Sequence, residues 1–206
     1  MKISKITRRS FIGACVVASG AMLSPVSAAI SAPIKNGNWT KVQTSNGWPV
    51  LASCASFRVE GSNESVSLLD GDCATILLYV ARRFNYEIDT LRSGEITGHS
   101  VDRAIAQPYE SNYLSGTALA IRPALYPAGS KGLFYPNDLS VIRDILSRLG
   151  GAVSWGGDEG TAKESHFQIA HAPGHPAIKL AAQNIREWDS TPGGEGAGVI
   201  SVNPGS

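Results

Sequence analysis

Charge of either sign is nearly balanced in this chain: 18 Lys and Arg stand against 17 Asp and Glu, for a formal net charge of +1. Such a balance offers no polycationic face, so neither nucleic acid nor an anionic membrane is expected as a partner. Histidine is scarce, at four residues, and leaves few imidazoles for any site. Long hydrophobic runs are missing too. The one candidate, Phe11 to Leu23, is too short to span a bilayer as a mature helix, so no integral membrane segment is expected in the mature chain. What is present suits a soluble globular protein, with 43% apolar and 17% charged residues. A length of 206 residues suffices for one domain with a proper core but not for two. The 22 Gly and 11 Pro point to a loop-rich fold.

The N-terminus reads as a removable segment. Lys2 and Lys5 open a basic region, Arg8-Arg9-Ser10-Phe11-Ile12 follows, and Val26-Ser27-Ala28 supplies small residues for cleavage. Residues 1–29 are therefore expected to be a secretory signal peptide of the twin-arginine type, and the protein to be exported, periplasmic or extracellular. An ordinary signal that happens to hold two Arg is the plainer reading. Of three Cys, Cys15 belongs to the signal, which leaves Cys54 and Cys73. In an oxidising compartment they could form a disulfide worth roughly 3 kcal/mol; two buried free thiols are the other reading.

Residues 30–46 read as an extended lead-in. Trp48 to Ser53, Phe57 to Glu60 and Ser65 to Leu69 read as short strands. Asp72 is expected to cap a helix from Cys73 to about Phe84, with Ile76, Leu77, Val80, Ala81 and Phe84 on its core face. Tyr86 to Asp89 reads as a strand, residues 90–112 as a long loop, and Thr117 to Arg122 as a strand. A helix from about Leu139 to Leu149, capped by Asn137 or Asp138, ends at Gly150-Gly151. Strands at Ala152 to Trp155 and Ser165 to Ala170 precede a helix opened by Pro176 and running to about Trp188. The tail, 189–206, lacks any apolar period and is expected to be disordered. The mix gives an α+β fold: one domain, a small antiparallel sheet and helices packed against it.

Two stretches carry the chemistry. One is Ser111-Asn112-Tyr113-Leu114-Ser115-Gly116-Thr117-Ala118-Leu119-Ala120. The other is Trp155-Gly156-Gly157-Asp158, then Lys163-Glu164-Ser165-His166-Phe167-Gln168. Their order and spacing resemble the two zinc-binding motifs of the M15 metallopeptidases, which include D-alanyl-D-alanine carboxypeptidases and L-alanyl-D-glutamate endopeptidases. Those motifs run Ser-Asn-His-x-Ser-Gly-x-Ala-x-Asp, and Trp-Gly-Gly-Asp followed by acidic-x-x-His-Phe-Glu. The resemblance covers roughly residues 45–188 and implies a peptidase-like domain at 47–188 with a hedgehog/DD-peptidase-like arrangement, close to the secreted bacterial branch of the family.

Catalytic zinc needs three protein ligands and an open position for water, with a carboxylate to move the proton. Carried over residue by residue, the resemblance puts Tyr113 at the first His ligand, Ala120 at the Asp ligand, Lys163 at the catalytic acid, and keeps only His166. A phenol is a poor neutral ligand, alanine has no donor and an ammonium repels a dication. Arg103, in Ser100-Val101-Asp102-Arg103, falls where the family has a substrate-facing Arg, and a surface Arg in a loop is the alternative for it. Ser111 matches the small polar residue before the first ligand. Glu164 is a weak substitute for the base, being one step off along the chain. Asp158 reads as structural, and His171 with His175 as surface or capping residues.

The expectation is an exported M15 peptidase-like protein that keeps a groove for a peptidoglycan stem peptide or a protein partner, without hydrolysis and without a cofactor. The alternative is an active zinc peptidase on peptidoglycan using substitute ligands such as Tyr113, Glu164 or His171 beside His166.

Overall fold

The long helix α1, Asp72–Glu87, is the piece around which the rest packs. Its expected apolar residues Ile76, Leu77, Val80, Ala81 and Phe84 are all buried, each worth about 1–3 kcal/mol on removal from water. Helices α2, Pro136–Arg148, and α3, Pro176–Ser190, both pack against α1. The computed structural model describes residues 37–191, which fall within one compact unit. The expected signal peptide, the lead-in before residue 37 and the tail from residue 192 lie outside the described residues.

Among the described residues three antiparallel sheets complete an α+β architecture. β1, Gly37–Asn38, pairs with β5, Ala104–Ile105, and β2, Ala55–Arg58, with β3, Ser65–Leu68. The largest sheet has the order β4-β6-β8-β7, where β4 is Ile96–Thr97, β6 Ala118–Ile121, β7 Val153–Trp155 and β8 His166–Ile169. Every residue of β6 and β8 is buried. Strand alternation sends Leu119, Ile121, Phe167 and Ile169 into the main core. Ala118, Ala120, His166 and Gln168 therefore share the opposite face, where Ala118 pairs with Gln168 and Ala120 with His166.

Several sequence expectations are corrected. Trp48 to Ser53 forms no strand; the segment makes a single bridge, Gln43 to Pro49, and runs on irregularly. Tyr86 and Glu87 continue α1 rather than starting a strand, because Arg83 pairs with Glu87 one turn on and Ile88 N–H still bonds to the Phe84 carbonyl. Asp72 is the first residue of α1, not its cap, which is Gly71. The expected loop 90–112 contains β4, β5 and the start of a 3₁₀ helix, Pro108–Ser115. α2 starts at Pro136, earlier than expected, since Pro suits the first helical position. It ends at Arg148, and the chain turns away just beyond at Gly150 and Gly151, whose φ values of 55° and 82° glycine adopts at little cost. Cys54 and Cys73 are free thiols. Burial pushes the Cys73 thiol up to about 12, with the Asp72 charge adding to the effect.

Candidate functional site

The 3₁₀ helix 108–115 covers the face of β6 and β8 that carries His166. Pro108 opens it and Gln107 with Glu110 forms a reciprocal capping box. Gly116 closes it at φ 67°, and a Cβ there would stand 2.5 Å from Cys54 Sγ and 2.7 Å from the Leu69 amide. This tight exit turns the chain from the 3₁₀ helix straight into β6, and so fixes Tyr113 above the strand pair.

His166 has 0% exposure, and both ring nitrogens are engaged. Nε2 lies 2.9 Å from Gln168 Oε1, which also accepts from Asn112 Nδ2 at 2.5 Å. An amide oxygen can only accept, so Nε2 carries the proton and Nδ1 its lone pair. Nδ1 then accepts the Tyr113 hydroxyl at 2.7 Å. The rings of Tyr113 and Tyr109 lie 5.0 and 4.9 Å from the imidazole, centroid to centroid. Burial holds His166 down to about 4; the Gln168 bond opposes that shift and the Lys163 charge adds to it. Burial likewise raises the Tyr113 phenol well above its usual value, helped by the Glu110 charge. The pair is a neutral imidazole and a neutral phenol.

Lys163 stands beside them. Its ammonium is 2.7 Å from Glu110 Oε1 and 5.2 Å from the centre of the Tyr113 ring. The other Glu110 oxygen accepts the Ala106 and Gln107 amides at 2.8 and 3.0 Å. Burial alone would raise the Glu110 carboxyl, but Lys163 and the two amides outweigh it and hold the group below its ordinary value. Lys163 is fixed from behind because its backbone N–H donates to the Gly156 carbonyl at 2.9 Å, and Gly156 has no room for a side chain against the Lys163 carbonyl. This is the local use of the Trp-Gly-Gly-Asp turn.

The structure thus gathers Tyr113, Ala120, Lys163 and His166, although they come from segments dozens of residues apart. The other candidates are engaged elsewhere. Both oxygens of Glu164 accept backbone amides, from Gly132 at 2.7 Å and Leu133 at 2.8 Å, so this carboxylate ties down the 123–135 loop. Arg103 donates to the carbonyls of Trp39 at 2.9 Å and Lys41 at 3.4 Å and anchors the N-terminal strap. Ser111 donates to the Pro108 carbonyl and accepts the Ser45 amide. Asp158 makes a two-pronged surface pair with Arg143. His175 caps α3 through its Nδ1, with His171 stacked on it at 3.7 Å.

Glu110, Asn112 and Gln168 were not anticipated as site residues. Gln168 was within reach, since it lies two residues from His166 on a strand and must share its face. Asn112 also links outwards, its Oδ1 accepting from Ser45 Oγ and the Asn46 amide.

The residues present do not fit a zinc ion. His166 offers one nitrogen whose lone pair Tyr113 already uses, Ala120 offers none, and Lys163 brings a positive charge. Among the described residues no group of three or more His, Cys, Asp or Glu side chains could hold a metal. No helix among them is long and apolar enough to cross a membrane. The chain matches no protein-family model, no curated protein and no solved structure.

Proposed function

We propose that this chain is an exported, non-catalytic protein built on the hedgehog/DD-peptidase-like frame of M15 peptidases, which binds a cell-wall stem peptide or a protein partner without cleaving it. The observation that carries the reading is the closed bonding of His166. Both its nitrogens are satisfied by neutral neighbours, and the Lys163 ammonium with the Glu110 carboxylate forms an internally neutral pair where a peptidase would hold a cation and a base. No observation favours the active alternative: Glu164 and His171 are committed away from His166. In the proposed groove Lys163 would exchange Glu110 for the carboxylate of the bound peptide, since its ammonium has donors to spare.

Zinc titration of the purified protein at low micromolar metal tests the first half. A folded protein that takes up no stoichiometric zinc is the expected result; one equivalent of zinc, lost in His166→Ala, would overturn it. Titration with a soluble peptidoglycan stem peptide tests the second half. Binding that survives Lys163→Ala undiminished would remove Lys163 from the site.

A further inference from the structure

A cleft of about 400 Å³ opens between the N-terminal turns of α1 and α3, and shares no residue with the His166 cluster. Its volume falls in the range of about 300–1,000 Å³ typical of small-molecule sites. Trp48 and Ile178 line its apolar part; Asp70, Asp72, His175 and Lys179 supply its polar groups. Trp48 is held in one orientation, because its indole N–H donates to the His171 carbonyl at 2.8 Å. His175 is fixed as well, stacked on His171 with the planes 14° apart.

The free bonding positions can be read off. His175 Nδ1 accepts the Ala177 amide, so its Nε2–H is left as a donor. Lys179 adds an ammonium. Asp70 Oδ1 accepts the Gly71 amide and Asp72 Oδ1 accepts Arg186, which leaves one acceptor oxygen on each carboxylate. Two helix N-termini favour an anion, but two carboxylates stand in that field. Lys179 and Arg186 in turn offset the carboxylates against a cation. The cleft therefore suits an uncharged ligand that has a flat apolar face and an edge of alternating donors and acceptors.

We infer that this cleft binds carbohydrate: one pyranose unit of an oligosaccharide, its C–H face on Trp48 and its hydroxyls on Asp70, Asp72, His175 and Lys179. The fixed indole supplies apolar area at no ordering cost. The inference is independent of the proposed function, because a glycan carries neither the peptide nor the metal on which that reading turns.

The test uses the full-length protein with chitotetraose and cellotetraose, read by tryptophan fluorescence and by saturation-transfer NMR on the sugar. Saturable binding of at least one tetramer is expected, with Trp48→Ala weakening it about tenfold or more. The double variant Asp70→Ala/Lys179→Ala, at the rim, should weaken it comparably, and Trp48→Phe should retain part of the affinity. If Trp48→Ala does not fold, the rim variant decides. The inference is overturned if neither tetramer saturates, if these variants bind like the parent, or if inorganic phosphate or cadaverine binds in place of the sugar.

Discussion

His166 is neutral because a fully buried imidazole cannot recover the hydration of its charged form, and Lys163 lies nearby to oppose a second positive charge. This has a sign and a window. Well above pH 6.5 the ring is neutral in both folded and unfolded chains and contributes no pH dependence. As the pH falls from 6.5 towards about 4, the unfolded chain takes up the proton first, so stability is lost across that interval, by about 3 kcal/mol in all. Glu110 behaves oppositely in origin: its depressed carboxyl stabilises above its usual 4.5 and is lost only below it. Urea unfolding at pH 7, 5.5 and 4.5 should therefore show a fall in midpoint that His166→Gln largely removes. An unchanged slope in that variant would refute the assignment. The resemblance of the two motifs implied that Tyr113 and His166 share a site, and their side chains lie 2.7 Å apart. The partnership of Lys163 with Glu110 was not, because it depends on a 3₁₀ cap that turns a carboxylate towards a residue 53 positions on.

At the scale of elements, one residue each tests how the 3₁₀ helix and the 123–135 loop are held. Gly116→Ala would combine a positive φ with a Cβ inside the contact distance of Cys54 Sγ and the Leu69 backbone. Backbone cannot step aside cheaply, so a loss of several kcal/mol in denaturant unfolding is expected, well beyond the roughly 1 kcal/mol of an exposed Gly-to-Ala strain. Glu164→Ala removes the side-chain acceptor of the Gly132 and Leu133 amides. Hydrogen exchange at these two amides should accelerate by about tenfold or more, while the β8 amides stay protected. Equal acceleration in β8 would mean that Glu164 holds the sheet and not the loop. The three helices were readable because their apolar positions recur at helical spacing. β4 and β5 were not, at two residues each: such strands carry no period, and only their partners in β6 and β1 define them.

For the whole molecule, the proposal that the chain is built on a zinc-peptidase frame can be tested through the residues around His166. Ala120 faces His166 across β6 and β8 and is 2% exposed, so a carboxylate placed there would be buried beside the imidazole. The variant Tyr113→His/Ala120→Asp/Lys163→Glu brings in both missing ligands and the acidic residue of the two motifs at once, and leaves Gln168 where the second motif has Glu. Without metal it should be less stable than the parent, since it buries two carboxylates near Glu110 and removes the Lys163 pair. With zinc it should recover, because an ion that binds the folded state alone stabilises it in proportion to the logarithm of its concentration over Kd. The expected outcome is one equivalent of zinc and a melting temperature that climbs with added zinc, both abolished by adding His166→Ala. A folded triple variant that ignores zinc would show that the backbone around His166 is not a peptidase frame, and the proposed function would fall with it.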